Sequence, residues 1–289
     1  MMGSQRFAEK TMVREAFGAA EKPKIRVGAV TYLNARPLIF SLAKRAPRME
    51  IVIDLPSRLA DALAAGRLDV AMIPSIEYAR GRDYAIVSDA CIACNGAVRS
   101  VKLYSHVPLE RLRTLALDEG SRTSAALARI LLRERFHISP ETRPLPIGVS
   151  PDAVPADAVL LIGDRGMLPG NGAFEFEWDL GEEWLRWTGL PFVFAMWIAR
   201  PGIDLQGLEM VLAAARDEGI TQLEEIAGQA APDLGISAAD CLSYLRDNLE
   251  FRFGRRQRQG LEHFYAFAGQ HGLAPTGVTL NFYRNGDPS

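Results

Sequence analysis

The 289-residue sequence lacks any apolar run long enough to cross a bilayer. Its longest such run, LPFVFAMWIA from Leu190, has strand length and ends at Pro201. The opening segment MMGSQRFAEKTMVREAFGAAEKPK has no apolar centre of the kind a signal peptide needs, so the protein is expected in the cytoplasm and not at a membrane. Residues 1–23, ending at Pro23, read as a disordered extension. Excess charge is missing as well. With 33 basic and 35 acidic residues the formal net charge is -2, which leaves no global positive field to recruit nucleic acid.

Cysteine and histidine are scarce. Of the three cysteines, Cys91 and Cys94 form a C-x-x-C, but they sit in SDACIACNGAVRSVKLYS, an extended stretch rather than a helix start that would stabilise a thiolate. A structural role is expected for both. The four histidines, His106, His137, His263 and His271, show no paired ligand spacing, so no metal is expected. His106, close to a crossover, is the one to test for function. No G-x-S-x-G, Walker loop or G-x-G-x-x-G stands in a suitable strand–helix setting, which points to chemistry without a phosphate or redox cofactor. No internal repeat and no low-complexity tract occurs.

What is present is an α/β grammar. IRVGAV reads as a strand, TYLNARP as a loop, and PLIFSLAKR as a helix with Pro37 in its first turn. MEIVIDLP, a helix over SRLADALAAGRLD capped at Ser57, and the strand LDVAMIPS follow. Strand–helix–strand–helix–strand implies a parallel sheet with right-handed crossovers. The middle repeats it with RTLALDEG, SRTSAALARILLRERF and AVLLIGDRGM. PFVFAMWIAR closes this part as an apolar strand. Beyond Pro201 the chain reads as helical, over LEMVLAAARDEGITQLEEIAGQAA, SAADCLSYLRDNLEFRFG and GRRQRQGLEHFYAFAGQHGL. Two lobes are expected, one from residues 24–104 plus 200–289 and the other from 105–199. Strand ends facing each other across a cleft would hold the ligand.

Candidate site residues fall at those strand ends. In DEGSRTSAALARILL, Ser121, Thr123 and Ser124 crowd a helix start, where free N–H groups and the helix dipole favour an anion; a plain N-cap would need only one of them. Thr31, Tyr32 and Asn34 occupy the first strand-to-helix loop, where Asn34 either binds ligand or makes an Asx turn. Ser75 follows the third strand and could line the cleft, whereas Glu77 beside it reads as a helix-start surface residue. Ser100 has no histidine nearby to make it a nucleophile. Asp164 either reaches the cleft or caps a turn. The tryptophans and the phenylalanines of PFVFAMW read as core, with one of them available to wall an apolar pocket.

Taken in order, VTYLNARPL, GRLDVAMIPSIEYAR, CIACNGAVRSVKLYS, LALDEGSRTSAAL, LLIGDRGM and GLPFVFAMWIAR resemble the motif series of the chorismate dehydratases of the futalosine route to menaquinone. The resemblance covers residues 25–200. It implies a two-lobed, periplasmic-binding-protein-like (type II) α/β fold and a hydro-lyase that needs no cofactor. It also implies a small-molecule partner, chorismate, with Asn34 and Ser100 near the reacting ring and the Ser121–Thr123–Ser124 cluster on a carboxylate. Two other readings stay open: the 1,4-dihydroxy-6-naphthoate synthase of the same pathway, and a non-catalytic binding protein for a small carboxylate.

Overall fold

A computed structural model describes residues 24–167 and 174–283, so the segment 1–23 expected to be disordered lies outside the described residues. Among the described residues eleven strands form two sheets. They are β1 (Arg26–Ala29), β2 (Glu50–Ile53), β3 (Val70–Pro74), β4 (Ala85–Cys94), β5 (Val101–Ser105), β6 (Thr114–Asp118), β7 (Glu141–Leu145), β8 (Ala158–Ile162), β9 (Phe176–Asp179), β10 (Phe192–Ala199) and β11 (Glu250–Arg252). The first sheet runs β11-β4-β10-β3-β1-β2 and the second β7-β6-β8-β5-β9. In each, a parallel trio supplies the expected crossover units: β2-β1-β3 in the first and β7-β6-β8 in the second.

The expected parallel pairing holds within these trios, and the complete sheets are mixed. Strand β10 runs antiparallel between β3 and β4, and β5 runs antiparallel between β8 and β9. The same pairings move the lobe boundaries. β5 belongs to the second lobe and β10 to the first, so the chain crosses between 94 and 101 and again between 188 and 192. These crossings replace the boundaries expected at 104/105 and 199/200. An apolar run such as FVFAMWIA announces a strand buried on both faces but does not say which sheet receives it.

Three local expectations also change. The helix at PLIFSLAKR is broken into Arg36–Ile39 and Leu42–Arg45 at Ser41, whose hydroxyl accepts from the Arg45 guanidinium. Ser57 is not a cap: Pro56 takes the first helical turn, as its missing N–H allows, and Ser57 is buried inside the helix Pro56–Ala64. The helix expected over SAADCLSYLRDNLEFRFG stops at Ser243, continues as a π turn over Tyr244–Asn248, and gives way to β11. There Phe251 and Phe253 are buried while Arg252 is exposed, the period-two alternation of a strand lying on the β4 edge. One apolar core, containing Trp184, Trp197, Phe192 and Phe264, runs through both lobes. Among the described residues no helix is long and apolar enough to cross a membrane.

Candidate active site

The carboxyl ends of β1, β3, β6 and β8 converge where the lobes face each other, and they line one shared cavity. The floor is apolar, from Met72, Ile92, Val98, Ile162 and Phe194. The polar part of the lining comprises Tyr32, Asn34, Ser100, Ser121, Arg122, Thr123 and Ser124.

Of the residues singled out from sequence, Tyr32, Asn34, Ser100, Ser121, Thr123 and Ser124 are brought together here, and Thr31, Ser75 and Asp164 are not among the lining. Thr31 is exposed. Ser75 is fully buried just behind the wall, where its hydroxyl donates to Val193 O at 2.7 Å and meets Thr123 Oγ1 at 3.3 Å. Asp164 accepts the Leu33 N–H at 2.9 Å and so ties the second lobe to the loop carrying Asn34. Burial pushes its carboxyl up, and the Leu33 bond pulls the other way. His106 is exposed and stacks on Phe174, away from the cavity. Glu77, expected at the surface, is half-buried and holds Arg80 and Arg122 in ion pairs.

The helix start at Thr123 is more committed to the protein than its sequence suggests. Thr123 Oγ1 accepts the Ile76 N–H at 3.1 Å. With the Ser75 proton spent on Val193 O, the Thr123 proton goes to Ser75. Ser121 Oγ accepts the Ala125 N–H at 3.2 Å. The first intrahelical bond runs from Ala126 N–H to Arg122 O. The N–H groups of Thr123 and Ser124 precede it, at the positions where a helix start leaves backbone donors without an intrahelical partner.

The opposite wall is built to leave polar atoms free. Asn34 Oδ1 is buried and has no hydrogen-bond partner. Ser100 is fully buried and accepts the Tyr244 O–H at 2.7 Å. The loop before Ser100 is held in an unusual shape: Arg99 adopts φ 60°, and the Asp179 carboxylate accepts the N–H groups of both Val98 and Arg99. A Cβ on Gly166 would lie 2.4 Å from Ser100 O, so the turn after β8 can pack there only as glycine. Gly163, with φ +59°, takes the face of Tyr32, and a Cβ there would lie 2.7 Å from the ring. Burial, then Asp118 and Asp164, push the Tyr32 phenol up to about 12, which keeps it a neutral donor.

Three residues central to this geometry had been passed over. Arg122, the cation of the lining, bonds both Asp61 oxygens at 2.8 Å and Glu77 at 3.1 Å, so it spans the lobes as an already neutralised clasp. Tyr244 and Asp179 act from behind the wall, and no local motif marks either one. The C-x-x-C cysteines lie buried in β4, and burial drives both thiols far up, away from thiolate chemistry.

Comparison with known proteins agrees with this architecture. A family model described as menaquinone biosynthesis matches residues 25–270. A chorismate dehydratase of Thermus thermophilus is 31% identical over 82% of this chain and 93% of its own length. Among solved structures, a protein of Archaeoglobus fulgidus superposes with a TM-score of 0.73 at 17% identity, covering 86% of this chain and 98% of that one. The periplasmic aliphatic sulphonate binding protein of Escherichia coli superposes at 0.59 with 18% identity, covering 93% and 94%. The two structures establish the binding-protein-like fold, and the sequence matches go further: the chain belongs to the menaquinone biosynthesis family, alongside the chorismate dehydratases.

Proposed function

We propose that this chain is a cofactor-independent hydro-lyase of the cytoplasm that dehydrates chorismate to 3-[(1-carboxyvinyl)oxy]benzoate on the futalosine route to menaquinone. One observation carries the reading: an unpartnered, buried Asn34 Oδ1 and a buried Ser100 on the lining of one cavity between the lobes. Family membership sets the reaction class.

The chemistry asks for few protein groups. Chorismate carries two carboxylates, an enol-ether side chain on C3 and a hydroxyl on C4. Loss of the C3 proton and the C4 hydroxyl as one water makes the ring aromatic, which drives the reaction. The substrate's own side-chain carboxylate takes the C3 proton, since neither histidine nor lysine is among the residues lining the cavity. Asn34 Oδ1 accepts the C4 O–H, and the Ser100 hydroxyl donates to the departing oxygen. At the other wall, the N–H groups of Thr123 and Ser124 and the Ser124 hydroxyl hold a carboxylate. Closed lobes keep bulk water from the carbanion.

Purified protein incubated with chorismate alone is expected to give an aromatic product one water lighter, read by mass spectrometry and ultraviolet absorbance. Chorismate recovered intact from well-folded protein would remove the reaction. Tight binding without turnover would leave a carboxylate-binding protein.

A further inference from the structure

We infer that Tyr244 is a positioning residue for the reaction proposed above, one that sets Ser100 as a hydrogen-bond donor towards the cavity. Tyr244 is fully buried and lies in the π turn Tyr244–Asn248, from the C-terminal part of the chain. Its phenol donates to Ser100 Oγ at 2.7 Å. Four residues on, Asn248 Nδ2 donates to Ala97 O at 2.8 Å, so this one turn grips the loop that carries Ser100 at two points. A widened helical turn is a recurrent device for aiming side chains at a site.

Proton counting gives the grip its direction. A serine hydroxyl has one proton to give. Because Tyr244 fills a lone pair of Ser100 Oγ with its own proton, the Ser100 proton is left for the cavity, and donation from the phenol strengthens it as a donor. Burial holds the phenol well above the tyrosine range, so it keeps the proton that it gives. Asn34 Oδ1, on the same cavity lining, is a buried atom without a partner. The lining thus presents one acceptor, Asn34 Oδ1, and one donor, the Ser100 hydroxyl, the two groups a leaving hydroxyl needs. Tyr244 itself is not among the cavity lining.

The inference rests on the dehydration reading, and the test separates the two. Steady-state kinetics with chorismate are measured for the full chain, Tyr244→Phe, Ser100→Ala and the double variant, with thermal unfolding of each. Tyr244→Phe is expected to lower kcat about tenfold to hundredfold with KM within about threefold of the parent. The double variant is expected to match Ser100→Ala, because the phenol acts through that hydroxyl. Should Tyr244→Phe fail to fold, 3-fluorotyrosine at 244, a more acidic phenol of nearly the same shape, decides the matter: kcat altered at least about twofold with unchanged unfolding supports the role. An active parent with an undiminished Tyr244→Phe, losses that multiply in the double variant, or an indifferent fluorotyrosine variant overturns the role of Tyr244 alone. An inert parent overturns both the role and the reaction.

Discussion

The two walls of the cleft carry the same kinds of polar atom and use them in opposite ways. At the helix start, Thr123 and Ser121 spend their hydroxyls on Ile76, Ser75 and Ala125, and Arg122 is neutralised by Asp61 and Glu77. Across the cavity, Asn34 Oδ1 has no partner and Ser100 has only the phenol behind it. A buried polar atom without a partner costs on the order of 1–3 kcal/mol, so a fold tolerates it where a ligand will complete the bond. In the proposed reaction the first wall closes the lobes and offers a carboxylate its backbone N–H groups, and the second meets the reacting atoms.

The largest expected effect lies on the second wall. Asn34→Ala and Ser100→Ala should each lower kcat about a hundredfold or more while KM moves little, as measured by steady-state turnover of chorismate. An unchanged kcat would erase the contrast. On the first wall, Thr123→Val should raise KM about tenfold, because it removes the bond to Ile76 that joins the lobes, and kcat should fall far less. Gly163→Ala pushes a methyl into Tyr32 at a φ that L-residues avoid; it should destabilise by about 1–3 kcal/mol in denaturant titration and weaken binding.

A scaffold substitution sharpens the comparison from outside. Asp69, held by Arg26 and Arg200 in the first lobe, should as Asp69→Asn lower stability by about 2 kcal/mol and leave kcat alone. Burial acts to raise its carboxyl, yet bonds from Arg26 and Arg200 outweigh that and hold it at about 2, below the ordinary 3.8. A depressed folded value means the contribution is whole above pH 3.8 and is lost as pH falls towards 2, which acid unfolding of parent and variant would register. The smallest effect belongs to the rim pair Arg58–Glu119: Arg58→Gln should cost under about 1 kcal/mol, and less still at high salt.

Much of this was readable from sequence because strand ends announce themselves. TYLNARP after β1 and DEGSRTS after β6 both combine a turn with small polar residues before a helix, and both reach the cavity. The lobe boundaries were less legible, because β5 and β10 are apolar strands whose sheet is chosen by long-range pairing. Ser75 illustrates a second limit. It follows a strand end as the other candidates do, yet a carbonyl 118 residues away claims its proton. Tyr244 was invisible for the same reason reversed: its partner Ser100 lies 144 residues earlier, and the turn around it reads as ordinary amphipathic helix. Spacing reveals which residues share a face, whereas proton accounting between distant segments needs the fold.

The contrast between the walls comes down to where the leaving oxygen sits. A crystal structure of Ser100→Ala soaked with chorismate tests that most directly. The expected result places the ring in the cavity with its C4 hydroxyl within about 3.2 Å of Asn34 Oδ1 and a carboxylate on the N–H groups of Thr123 and Ser124. A ring bound with C4 facing away from Asn34, or seated outside the cleft, would contradict it.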